Sequence, residues 1–174
     1  LAGVSGDVLE IGGGTGVNLQ YYPETIHRLV LTEPDPNMRQ QLLKSGMTVA
    51  DFRAEKIELP DESFDCIVST LVLCSVDSQA DALKEAYRLL RPGGALFFIE
   101  HVVALDNEKL ARWQKRLEPA WLWLSSNCHL AMDTARAIKE AGFEFIWLEE
   151  VSMRGAPAIV RPVIKGVARK PNCR

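Results

Sequence analysis

Short apolar runs alternate along the chain with stretches in which apolar residues recur every three or four positions, and this alternation fixes the predicted elements. Residues 8–11 form a run that breaks into Gly12-Gly13-Gly14-Thr15-Gly16, the pattern of a strand entering a tight turn ahead of a helix that Pro23 keeps short. A second run at 29–32 stops at Glu33-Pro34-Asp35-Pro36. There Asp35 is placed to cap, and Pro36 to open, a helix that carries Met38 and Leu42 and closes at Gly46. Residues 48–52 predict a third, weaker strand, and 64–70 a fourth after the turn-like Pro60-Asp61-Glu62-Ser63. Asp77 is placed to cap a helix with Leu83, Ala86, Tyr87 and Leu90 on one face, ending at Arg91-Pro92-Gly93-Gly94 before a fifth strand at 95–99.

Beyond His101 the pattern loosens. Leu110, Trp113 and Leu117 share a helical face up to Glu118, Pro119 is expected to break it, and residues 120–124 add an apolar turn with Trp121 and Trp123. A helix over about 133–141, stopped by Gly142, leads to a strand near 144–151, and a turn with Gly155 and Pro157 leads to another at 160–168. Two late strands joined this way read as an antiparallel pair added to the sheet edge. The earlier strands are continuous apolar runs, which argues a mostly parallel sheet with helices on both faces. The predicted fold class is α/β: a doubly wound, mostly parallel seven-stranded sheet whose last strand is antiparallel.

Composition narrows the partners. The 174 residues suit a single domain over 1–174, and a first residue that is Leu leaves room for an upstream segment. A net charge of −3 provides no broad basic field for a phosphate backbone, so nucleic acid is not an expected partner. No apolar run approaches the roughly 20 residues that cross a bilayer, so no transmembrane segment is predicted, while peripheral membrane contact stays open. Cys66, Cys74, Cys128 and Cys173 contain no C-x-x-C spacing and signal neither a zinc site nor a disulfide framework, which favours a reducing, cytoplasmic setting.

The strongest chemical signal is Glu10-Ile11-Gly12-Gly13-Gly14-Thr15-Gly16. Glycines let the backbone approach a ligand closely, and the helix that follows aims free N–H groups at it, so a nucleotide-like cofactor is implied. The dinucleotide fingerprint G-x-G-x-x-G requires a third small residue where this chain has Val17, and the carboxylate of Glu10 repels a phosphate but suits an amine or its ordered water. Together these features point to a cationic amino-acid moiety rather than a diphosphate. Glu33, at the end of the second strand, stands where such folds carry the acid that accepts hydrogen bonds from ribose hydroxyls.

On these residues the chain resembles the class I S-adenosylmethionine-dependent methyltransferases, within the broad group that includes the ubiquinone and menaquinone biosynthesis enzymes. The match covers residues 7–101 well and the rest by length and late-strand pattern. It implies a Rossmann-like methyltransferase fold, S-adenosylmethionine as methyl donor and S-adenosylhomocysteine as product. It also implies a binding set of Glu10, Gly12, Gly14, Gly16, Glu33, Pro34, Met38, Ala54, Glu55, Thr70 and Leu71. Gly13 stands where the family usually has Cys. Arg53 replaces an Asp that many relatives use for the adenine amino group, which leaves backbone groups at Ala54 and Glu55, or Asp51, to take that role. The segments 70–76, 90–95, 100–102, 119–121 and 160–162 are similar to the membrane-associated thiol methyltransferases, which methylate small alkyl thiols and are anchored by an N-terminal segment.

Methyl transfer from a sulfonium is an in-line displacement governed by proximity and orientation, so no obligatory catalytic residue is expected. A thiol with a pKa of about 8.5 is already a few per cent ionised near neutrality, whereas a phenol near 10 needs a base. His101, at the end of the fifth strand, is the best-placed candidate, with a carbonyl-bonded structural role as its alternative. Cys74 adjoins the methionine side of the expected site and reads as a small core residue, and Trp113, Trp121 and Trp123 read as core ahead of a pocket roof. The expected activity is methylation of a small, fairly apolar acceptor, with thiol ahead of quinol-like phenol and lipid amine. A non-catalytic S-adenosylmethionine-binding protein is one alternative. A nicotinamide-dependent oxidoreductase is another, though it calls for an apolar residue in place of Glu10 and a small one in place of Val17.

Overall fold

The computed structural model describes residues 1–125 and 127–172, so Cys173 lies outside the described residues. Seven strands form one sheet in the order β3-β2-β1-β4-β5-β7-β6. They are β1 (Gly6–Ile11), β2 (Ile26–Thr32), β3 (Val49–Ala50), β4 (Phe64–Thr70), β5 (Leu90–His101), β6 (Glu144–Ser152) and β7 (Pro162–Arg169). The first five pair in parallel, and β7 runs antiparallel to both β5 and β6. The sheet is therefore the mostly parallel, doubly wound one that the apolar runs predict.

Helices α1 (Pro36–Leu43), α2 (Gln79–Leu89), α3 (Glu108–Leu124) and α4 (Thr134–Glu140) connect and cover the strands. Asp35 caps α1 through hydrogen bonds from Asn37 N and Met38 N at 2.9 Å, with Pro36 opening the helix as the sequence implies. Ser78, not Asp77, caps α2, because the Asp77 side chain is drawn away to Arg53. The principal core gathers Leu9, Ile11, Ile67, Leu83, Leu89, Leu96 and Phe98 between sheet and helices. Burial of such side chains contributes about 1.5–3 kcal/mol each, which is what holds the strand ends in place.

Three expectations are corrected. The fifth strand starts at Leu90 rather than 95, and its pairing with β4 shifts between Phe64 and Cys66, so Arg91-Pro92-Gly93-Gly94 is absorbed as an irregularity of the strand. Pro119 does not end its helix. It is exposed inside α3, so the carbonyl four residues earlier that loses its partner is open to water. Of the three tryptophans expected in the core, Trp113 and Trp123 are exposed and Trp121 is half-buried, and the only fully buried residue of α3 is Gln114. Its amide accepts from Ala104 N and donates to Val102 O and Ile159 O, fastening the helix to the segments after β5 and before β7.

Candidate active site

The parallel strands β1, β2 and β4 end on one side of the sheet, where α/β sheets place their ligands. The glycine turn after β1, the acid after β2 and the loop after β4 surround a cavity of about 500 Å³ there. Of the residues singled out in the sequence, Gly12, Gly14, Glu33, Pro34, Met38, Ala54, Glu55, Thr70 and Leu71 line it, joined by Asp35, Phe52, Arg53 and Asn127. Gly16, Glu10 and His101 are not on its wall. A second cavity of about 460 Å³ lies between residues 102–107 and the β6–β7 end of the sheet, and shares none of these residues.

Glu33 ties two elements of the cavity together. Its Oε2 accepts from Gly14 N at 2.8 Å and its Oε1 from Asp35 N at 2.9 Å, which locks the glycine turn onto the start of α1. A carboxylate offers about four acceptor positions, so two remain for a ligand. Gly13 N donates to Thr32 O at 2.8 Å, completing the turn. Gly12 and Gly14 take φ of 64° and 55°, a conformation that costs about 1–2 kcal/mol for a residue bearing a Cβ. A methyl group at Gly12 would lie 2.6 Å from Val72 Cγ2, whereas one at Gly14 would meet no other atom within 4 Å.

Glu10 stands behind this wall. Asn18 Nδ2 donates to its Oε1 at 2.8 Å and Tyr22 OH to its Oε2 at 2.9 Å, and the same Asn18 amide donates to Thr70 Oγ1 at 3.0 Å. Burial pushes the Glu10 carboxyl above its ordinary range, and the two hydrogen bonds pull it only part of the way back. The expectation of a carboxylate facing an amine is thus corrected to a buried acid that reaches the cavity through Asn18 and Thr70. The sequence did not single out Asn18 or Tyr22, because their pairing depends on how the short 3-10 helix at Val17–Tyr21 folds back over β1.

The loop after β4 rests on a residue that sequence reasoning passed over. Glu100 is fully buried on β5; its Oε1 accepts from Ser69 Oγ at 2.6 Å and from Val72 N, and its Oε2 from Cys74 N. Burial pushes its carboxyl up to about 7 against the pull of these bonds. Leu71, on the cavity wall, is held at φ 57° and donates its N–H to Ile99 O, so a strained turn is anchored to β5 on both sides. Arg53 pairs with Asp77 and with Glu55 beside the cavity, while Asp51 is exposed.

His101 is engaged elsewhere. Nδ1 lies 3.2 Å from His129 O and Nε2 3.2 Å from Ile159 O, so neither nitrogen faces the cavity. Burial works to lower its pKa, but the Cys128 sulfur and these two carbonyls outweigh it and the net shift is upward. A protonated ring donates to both carbonyls at once, which a neutral ring cannot do. The ring of the candidate base thus stands between the loops that carry His129 and Ile159 rather than at the cavity. His129 itself bonds Glu118 through Nδ1 at 3.1 Å.

Comparison with known proteins bears directly on this geometry. The family model described as a methyltransferase domain matches residues 2–146. The chain belongs to the methyltransferase-domain family. It is 37% identical to the human protein named thiol S-methyltransferase TMT1A over 97% of this chain and 73% of that one. It is 39% identical to the rat protein named thiol S-methyltransferase TMT1B over 86% of this chain, and the match spans only 65% of that protein's length. Among solved structures, a SAM-dependent methyltransferase from Thermotoga maritima superposes with a TM-score of 0.68 at 27% identity, covering 94% of this chain and 81% of that one.

The methyltransferase domain takes its methyl group from S-adenosylmethionine, and the cavity fits that donor. Its walls carry the carboxylates of Glu33, Asp35 and Glu55 against the single guanidinium of Arg53, a balance that suits a sulfonium with an ammonium and opposes a diphosphate. Gly14 leaves open the space that a side chain would fill. Gly14→Ala is accordingly expected to weaken S-adenosylhomocysteine binding at least tenfold while lowering stability by only about 1–2 kcal/mol, the cost of its φ. Calorimetric titration beside thermal melting separates the two effects.

Proposed function

We propose that this methyltransferase domain methylates the sulfur of a small, fairly apolar thiol. The observation that carries the proposal is the chemistry of the cavity wall: among the described residues lining it there is no histidine, lysine, tyrosine or cysteine. An acceptor that ionises without help suits such a site, and a thiol with a pKa of about 8.5 does so where a phenol near 10 does not. The names of the human and rat relatives support the same acceptor class. Leu71, Val72 and Val76 give the wall an apolar portion, and α3 ends in the exposed Trp123 and Leu124 immediately before Ser125 on the wall.

Glu33 would hold the ribose hydroxyls on its two free acceptor positions, and Met38, Phe52 and the backbone of Ala54 and Glu55 would hold the adenine. Gly12, Gly14 and Thr70 would hold the amino-acid end, with the Thr70 hydroxyl bonded from behind by Asn18, which Glu10 holds in turn. Bound there, S-adenosylmethionine supplies a methyl carbon made electrophilic by its sulfonium. The walls would exclude water and align an acceptor sulfur, already ionised in solution, with that methyl group, and S-adenosylhomocysteine would leave as the sulfonium carbon–sulfur bond breaks. Orientation of this kind supplies up to about 7–11 kcal/mol of barrier lowering. Glu10 is a positioning residue, since it acts through Asn18. The free thiols of Cys66, Cys74 and Cys128 support a reducing compartment such as the cytoplasm as its working place. Among the described residues no helix is long and apolar enough to cross a membrane.

The test is a methyl-transfer assay with labelled donor on a panel of alkyl thiols, phenols and primary amines. Methylated thiols and no other product are expected, with His101→Ala keeping the same order of acceptors. Transfer to phenols or amines in preference to thiols overturns the acceptor assignment, and a loss confined to the weakly acidic acceptors in His101→Ala restores that residue as a base.

A further inference from the structure

The loop after β4 and the segment after α3 meet through their cysteines. Cys74 Sγ and Cys128 Sγ lie 3.8 Å apart, and His129 N donates to Cys74 O at 2.7 Å, so the two backbones are already joined beside the sulfurs. Asn127 Nδ2 adds a bond to Ser75 O at 3.0 Å. Val72 and Ser75 on one side, and Ser125 and Asn127 on the other, all line the donor cavity. Among the described residues no group of His, Cys, Asp or Glu side chains is placed to hold a metal ion, so metal ligation does not account for the pair.

We propose that Cys74 and Cys128 are a redox-active dithiol that a hydroperoxide converts to a disulfide tying together two walls of the donor cavity. A disulfide needs its sulfurs at about 2.05 Å, so the pair must close by somewhat under 2 Å, a movement within the reach of side-chain rotation and small loop shifts. The two sulfurs have unequal roles. Cys128 is partly exposed and Cys74 is buried, so peroxide reaches Cys128 first. The Cys74 hydrogen bond holds the Cys128 thiol well below its ordinary range, against the opposing effect of burial and with further help from His101 and Trp121. Cys74 keeps its proton, because the Cys128 sulfur, burial and the nearby Glu100 carboxylate all push its pKa up.

In the first step the Cys128 thiolate attacks one peroxide oxygen. The O–O bond breaks, and the departing hydroxide of hydrogen peroxide, or alkoxide of an organic hydroperoxide, takes a proton to become water or an alcohol, leaving a sulfenic acid. In the second step the Cys74 sulfur attacks the sulfenic sulfur, the S–O bond breaks, and the hydroxide released takes the Cys74 proton to become water. Two thiols lose two electrons in total and the peroxide gains them.

Peptide mapping of the full chain decides the proposal. After treatment with hydrogen peroxide, blocking of remaining thiols and digestion without reductant, a peptide linking Cys74 to Cys128 is expected, about 2 Da lighter than its two thiol halves and lost on adding dithiothreitol. Before oxidation, iodoacetamide at about pH 6 is expected to label Cys128 ahead of Cys66 and Cys74. Cys74→Ala removes the resolving thiol, so peroxide treatment of this variant is expected to yield no disulfide peptide containing Cys128. Oxidised chain in which Cys74 stays a free thiol, or in which Cys128 pairs with another cysteine, overturns the proposal, and the mapping of the unsubstituted chain settles this even where the variant folds poorly. The outcome is independent of which acceptor is methylated.

Discussion

Glu33→Ala is expected to weaken S-adenosylhomocysteine binding by about 2–4 kcal/mol, roughly 30- to 700-fold, measured by calorimetric titration. The size follows from what the carboxylate holds. Two of its acceptor positions organise the site, through Gly14 N and Asp35 N, and two remain for ribose hydroxyls. Hydrogen bonds to a charged acceptor are worth about 1.5–3 kcal/mol each, and the alanine variant loses both the ligand's bonds and the tie that shapes the turn. Glu33→Gln keeps one carbonyl oxygen and faces one backbone N–H with its own amide, so it is expected to fall between the two. An affinity unchanged in Glu33→Ala removes the ribose from this place.

The second large effect concerns folding. Glu100→Ala is expected to lower stability by about 3–5 kcal/mol in denaturant unfolding, because Ser69 Oγ, Val72 N and Cys74 N lose their shared acceptor inside the protein. The loop that carries Leu71 and Val72 onto the cavity wall is then no longer anchored to β5, so S-adenosylhomocysteine binding falls with it. Glu100→Gln isolates the titration. The folded carboxyl titrates near 7 against an ordinary 4.5, so the native chain binds more protons than the unfolded one between these values. The stability of the wild type relative to Glu100→Gln is therefore highest below about pH 4.5 and declines as pH rises through about 7, by about 3 kcal/mol in all. A difference that stays flat across this window contradicts the burial of an ionisable group at position 100.

The features legible in the sequence are those whose cause lies within a few residues. The glycine turn follows β1, and Glu33, Pro34 and Met38 run from the end of β2 into the first turn of α1, so each group is legible from its own local pattern and parallel pairing of β1 with β2 brings the two together. The breaks come where side chains find partners far along the chain. Glu10 is visible as an acid ahead of the turn, but Asn18 and Tyr22, which consume both of its oxygens, return to it only through a 3-10 helix that periodicity does not resolve. Glu100 shows no role in the local pattern of β5, because its partners lie 26 to 31 residues away, on β4 and the loop that follows it. His101 stands at the strand end as expected, and its ring is claimed by carbonyls 28 and 58 residues distant. Pro119 shows the same limit for local rules, since α3 runs through it on an exposed face where the helix packs against nothing that a kink would disturb.

The most direct measurement is a crystal structure of the chain with S-adenosylhomocysteine. The account predicts the ribose hydroxyls on the Glu33 carboxylate, the adenine beside Met38 and Ala54, and the homocysteine end passing Gly12 and Gly14 towards Thr70. Density for the ligand in the cavity beside residues 102–107, with Glu33 left facing water, contradicts it.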